Sequence, residues 1–123
     1  MRTRRVEVAA WALLVAQVVH GLTPADTESE GYVGLVGGLV LLVATMTAIV
    51  GLRRQRPWAA PLTGGIGLTV AVGFVLYHAT PVTSPLTNPY IGEPVGPAAW
   101  ITVALSVAAG LWAAYAARLR PTT

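Results

Sequence analysis

The chain has 123 residues, 54% of them hydrophobic and 11% charged, with no cysteine and a net charge of +3. Soluble domains carry about 25% charged residues, and a globule this poor in charge lacks the polar surface to stay in solution. The missing cysteine excludes disulfides, thiolate metal sites and cysteine nucleophiles, and the length leaves room for a single small membrane domain over residues 1–123.

Residues 6–22, VEVAAWALLVAQVVHGL, form the first apolar run. At about 1.5 Å per residue it reaches roughly 25 Å, the short end of what spans a bilayer. Arginines before it also suit a signal peptide, but Pro24 sits between the small residues Thr23 and Ala25 and makes a poor cleavage site. A retained helix is expected. Residues 23–31, TPADTESEG, read as a short acidic loop, and residues 32–52 as a second span without charge. The turn LRRQRP follows. Pro61 then fits the first turn of a third helix over 60–79, where its missing N–H costs nothing. A long loop, 80–96, leads to a fourth helix that starts at Pro97, runs to 119 and stops before Pro121.

The charges sort by connection. Arg2, Arg4 and Arg5 precede the first run, Arg53, Arg54 and Arg56 separate the second from the third, and Arg118 and Arg120 end the fourth. Asp26, Glu28, Glu30 and Glu93 occupy the other two loops, and only Glu7 falls on the arginine side. A nucleic-acid binder gathers its arginines on one folded face. Here they mark alternate ends of hydrophobic segments, the positive-inside pattern. The expected fold is therefore all-α: four transmembrane helices in an up-down-up-down bundle, both termini cytoplasmic, loops 23–31 and 80–96 outside, in the cell membrane. Trp11, Trp58, Trp112 and Tyr115 fall near the inner boundary, and Tyr32, Tyr77, Tyr90 and Trp100 near the outer one, as amphipathic rings prefer.

In lipid, helices associate through close backbone approach, so small residues mark interfaces. The fourth helix offers Thr102, Ser106, Gly110 and Ala114, and the third Gly65, Thr69 and Gly73 with Tyr77 next. These two seams are expected to pack together. The two hairpins also resemble each other: His20 then Pro24, and His78 then Pro81, each closed by an arginine–proline stop. Duplication and shared composition both explain the likeness.

His20 and His78 are the only histidines. Two imidazoles near loop carboxylates suit zinc, copper or a similar ion, which makes them the candidate metal residues. No H-x-x-H or H-x-x-x-H pair occurs, and the competing reading is that both hydrogen-bond loop carbonyls at the membrane surface. A bis-histidine haem needs a ring-sized gap between inward-facing imidazoles. Seam residue Tyr77 lies about 100° around the helix from His78, so His78 is expected to point away from the fourth helix. No cofactor is expected. Enzyme motifs are absent: no G-x-S-x-G and no H-E-x-x-H occur, and Gly64-Gly65-Ile66-Gly67 lacks the strand and lysine of a phosphate loop. Ser84, His78 and Glu93 in one loop are a chance triad.

The stretch Tyr77 to Trp100 holds Pro81, Pro85, Pro89, Pro94 and Pro97 and a single charge, Glu93. Prolines fix the backbone and lower the entropy of the unfolded loop. Val82, Leu86, Ile91 and Val95 suit a loop lying over the bundle or docked on a partner. The function expected is that of a non-catalytic membrane protein, an accessory or self-associating bundle that engages a partner through this loop. Its surroundings are the lipid bilayer and a homo-oligomer or larger membrane complex. The alternative is outer-face metal binding or small-solute transport through His20 and His78.

Overall fold

A computed structural model describes residues 2–24, 32–81 and 86–118, and these fold into four helices. They are α1 (Arg2–Leu22), α2 (Tyr32–Arg53), α3 (Ala59–His78) and α4 (Pro97–Arg118). Each is long and apolar enough to cross a membrane. Helix α1 starts four residues ahead of the apolar run, because arginine and glutamate are good helix formers and nothing in RTRRVE breaks the pattern. The early start places Glu7 in the helix, where its carboxylate accepts a 2.9 Å bond from Arg53 of α2. The guanidinium of Arg53 also lies 5.4 Å from the Trp11 ring centroid. The one acidic residue on the arginine side thus has a basic partner there.

Helix α2 ends in a Schellman motif. The Arg56 N–H donates to the Gly51 carbonyl at 2.8 Å and the Gln55 N–H to that of Leu52 at 3.0 Å. Gln55 takes the left-handed conformation, φ 53°, that this cap requires, a position where glycine is free of steric cost. The chain then turns through Pro57 into α3, and Pro61 lies in the first turn of that helix.

The helices pack as a ring. Helix α1 touches α2 and α4, α3 touches α2 and α4, and α3 against α4 is the most extensive contact. At its centre Gly67 and Gly110 bring their backbones together: a Cβ built on Gly110 would sit 2.5 Å from the Gly67 carbonyl oxygen. Gly64 meets Ala117 in the same groove. The α3 face is therefore Gly64, Gly67 and Ala71. Gly65 and Gly73 look onto open space, and Thr69 bonds back to the Gly65 carbonyl. The expected third-helix seam of Gly65, Thr69 and Gly73 therefore lies off the α3–α4 contact. Gly64, Gly65 and Gly67 are equally small, so the residue types do not say which of them faces α4, and Gly65 already lies about 100° around the helix from Gly64. On α4, Gly110 faces α3, but Thr102 and Ser106 turn to α1, where Ser106 Oγ donates to the Ala16 carbonyl at 3.4 Å.

The core holds Ala9, Ala10, Leu13, Ala48, Ile49, Val70 and Ala113. Most of these side chains are small, so backbone proximity supplies the contact that large residues supply in a soluble core. Large apolar side chains such as Val15, Leu35, Val43, Leu76 and Leu105 are exposed. That surface is costly in water and suited to acyl chains, in keeping with a multi-pass membrane protein. Every buried side-chain nitrogen and oxygen among the described residues has a hydrogen-bond partner. Gln17 Nε2 donates to Thr45 Oγ1 at 2.9 Å, joining α1 to α2.

Candidate functional site

At one end of the bundle the C-terminal turns of α1 and α3 meet the first turns of α4, and the 86–96 loop folds over them. Two backbone bonds hold the loop down. The Asn88 N–H donates to the Tyr77 carbonyl at 3.0 Å and the Tyr90 N–H to the His78 carbonyl at 2.8 Å. They occupy two of the carbonyls that a helix end leaves without intrahelical partners. Pro89 stands between the two donors and has no N–H to place. Gly92 then takes φ 82°, and the Glu93 N–H closes the turn on the Tyr90 carbonyl at 3.3 Å.

Beneath the loop lies an aromatic cluster. His78 is 4% exposed and Tyr90 4%. Their ring centroids are 4.1 Å apart, and Trp100 meets Tyr90 edge-on with centroids 5.5 Å apart. Phe74 stands 4.8 Å from His20 and 5.9 Å from His78. The two histidines are in direct contact, with centroids 5.1 Å apart and planes crossing at 63°. That separation leaves no room for a macrocycle between the rings, so a haem cannot lie between them.

The hydrogen bonds fix which ring nitrogen carries the proton. His78 Nδ1 is 2.9 Å from the Asn88 carbonyl oxygen, which can only accept, so Nδ1 donates. His20 Nδ1 is 3.0 Å from Thr102 Oγ1. The Thr102 hydroxyl already gives its hydrogen to the Ala99 carbonyl at 2.8 Å, so here too Nδ1 donates. In the neutral state both rings carry their lone pair on Nε2.

The bond of His78 to a loop carbonyl is what the competing sequence reading expected of it. The structure also brings the two histidines into contact. Tyr77, expected to continue the α3 seam, instead packs on Gly34 of α2, and this turns His78 into the bundle. Asp26, Glu28, Glu30 and Ser84 lie outside the described residues. Glu93 is exposed, and among the described residues no group of three metal-ligating side chains occurs. Sequence reasoning missed Phe74, Asn88, Tyr90 and Thr102 as partners of the histidines. Phe74 was accessible, standing four residues before His78 on one helix face. Nothing local announces that the loop doubles back. Compared with known proteins, the chain matches no family model, no curated protein and no solved structure.

Proposed function

We propose that this chain is a non-catalytic protein of the cell membrane that works by association. It is an up-down-up-down bundle with both termini cytoplasmic, and it presents its proline-stiffened loop to a partner or to a second copy. The observation carrying this reading is the loop itself. Its middle is pinned to α3 through Asn88 and Tyr90, while Leu86 and Ile91 remain 66% and 48% exposed. A fixed backbone with apolar side chains turned outward loses little entropy on docking.

Topology is testable because the chain has no cysteine. A membrane-impermeant maleimide should label Glu93→Cys on intact cells and Arg56→Cys only after permeabilisation. Mass measurement in mild detergent should find the 12.8 kDa chain in a larger assembly that Leu86→Asp with Ile91→Asp dissolves. A lone wild-type monomer, or an assembly indifferent to both changes, defeats the reading. The cation-binding alternative has one observation in its favour, the contact between His20 and His78. Transport has none, and below Gln17 the bundle axis is filled by Leu13, Ala10 and Ala48, all fully buried.

A further inference from the structure

We infer that the bundle binds an anionic phospholipid at the α2–α3 turn, with its phosphate held by Arg54 and Arg56 and an acyl chain laid along α2. The inference rests on the chain spanning a membrane and is independent of whether the 86–96 loop engages a partner.

The groove follows from the helix repeat. Val43, Met46, Thr47 and Val50 recur at steps of three and four, so they share one face of α2, and Arg54 continues that face just past the helix end. All four are exposed, and with Arg54, Arg56 and Trp58 they line one groove. Its wall is Trp58, whose ring lies over Gly51: a Cβ built on that glycine would fall 2.5 Å from the ring. The one hydroxyl along the shaft, that of Thr47, donates to the Val43 carbonyl at 2.8 Å, so the shaft offers a lipid chain no polar group in need of a partner. Val43 lies about 15 Å along the axis from Arg53, the last residue of α2. One leaflet of hydrocarbon is half of about 30 Å, so this face runs from the interface to mid-bilayer, the reach of one acyl chain.

The charge at the groove's mouth identifies the occupant. The three arginines of the turn are not equivalent. Arg53 turns to α1, where Glu7 accepts its bond. Among the described residues Arg54 and Arg56 have no carboxylate partner, and both are exposed. Their backbones are fixed: the Arg54 N–H donates to the Val50 carbonyl at 3.0 Å and the Arg56 N–H to that of Gly51 at 2.8 Å. Guanidinium groups bind phosphate through a planar, bidentate fork. Two of them at the end of an apolar face, uncompensated by an acidic side chain, favour a lipid of net negative charge over a zwitterionic one. Trp58, 46% exposed, stands at the same level, where an amphipathic indole prefers the membrane interface.

The test places the full-length chain in phosphatidylcholine nanodiscs doped with acyl-brominated phosphatidylglycerol or acyl-brominated phosphatidylcholine. Trp11, Trp100 and Trp112 are replaced by Phe, so that Trp58 alone reports quenching. The brominated phosphatidylglycerol should quench Trp58 at the lower mole fraction. Arg54→Gln and Arg56→Gln should each reduce that preference about fivefold. Arg118→Gln removes the same charge at the same end of the bundle, where Ala117 meets Gly64, but outside the groove, and should leave the preference unchanged. Excess glycerol phosphate, which has the charge and no chain, should not displace the lipid. Equal quenching by the two lipids, an equal loss in Arg118→Gln, displacement by glycerol phosphate, or a Trp58 shielded from both lipids by a second chain overturns the inference. Where the triple Phe variant fails to fold, native mass spectrometry of the chain with all its tryptophans decides. Phosphatidylglycerol retained from an equimolar mixture with phosphatidylcholine, and lost on Arg54→Gln with Arg56→Gln, supports the site; retention of neither lipid, or of both alike, overturns it.

Discussion

The crossing of Gly67 and Gly110 is the point where one methyl group should matter most. In Gly110→Ala the new Cβ falls 2.5 Å from the Gly67 carbonyl oxygen, 3.1 Å from the Ala71 nitrogen and 3.3 Å from its Cβ. Carbon–oxygen contacts begin at about 3.3 Å, so α3 and α4 must separate by about 0.8 Å at the crossing. A gap of about 0.5–1 Å forfeits a quarter to a half of each dispersion contact, each of which is worth about 0.1–0.2 kcal/mol. Summed along the seam, the loss should fall in the range of about 1–3 kcal/mol for overpacked cores. The control is Gly65→Ala on α3, where the new Cβ meets nothing within 4 Å. There, removing a helical glycine should be neutral or stabilise by up to about 1 kcal/mol. Reversible unfolding in mixed micelles, followed by helical circular dichroism, reads both. Equal shifts for the two variants, or a stable Gly110→Ala beside a destabilised Gly65→Ala, would refute the packing argument.

Three further outcomes are expected. A double-mutant cycle on Gln17→Leu and Thr45→Val should give a coupling of about 0.6 kcal/mol and no more than about 1.7; zero coupling would mean the 2.9 Å bond joining them contributes nothing to holding α1 on α2. Tyr90→Ala removes the ring that lies tilted against His78 and edge-on to Trp100, and amide exchange at residues 88 and 90 should accelerate while α4 stays protected. Unchanged exchange there would show that the backbone bonds alone hold the loop. Gln55→Gly relieves the left-handed conformation at φ 53° and should stabilise the α2–α3 turn by about 0.5–1 kcal/mol, measured by the same unfolding assay; a loss of stability would contradict the capping analysis.

The sequence by itself determined the four helices and their membrane character. Long uncharged runs demand backbone hydrogen bonds satisfied within the segment, and only a helix does this in lipid without a partner strand. Prolines and arginines punctuate the ends: Pro97 opens α4, and the arginine-rich turn after residue 52 closes α2. What the sequence could not supply was rotation. Gly65 and Gly67 are equally small, and only the neighbouring helix distinguishes the one that faces Gly110 from the one that faces outward. Once α3 is rotated to place Gly67 on Gly110, Tyr77 falls against α2 and His78 turns inward to meet His20 from 58 positions away. The loop's return through Asn88 and Tyr90 is likewise tertiary, because the carbonyls it caps exist as acceptors only after α3 has ended. Composition made this a membrane bundle; the packing of two glycines made its two histidines neighbours.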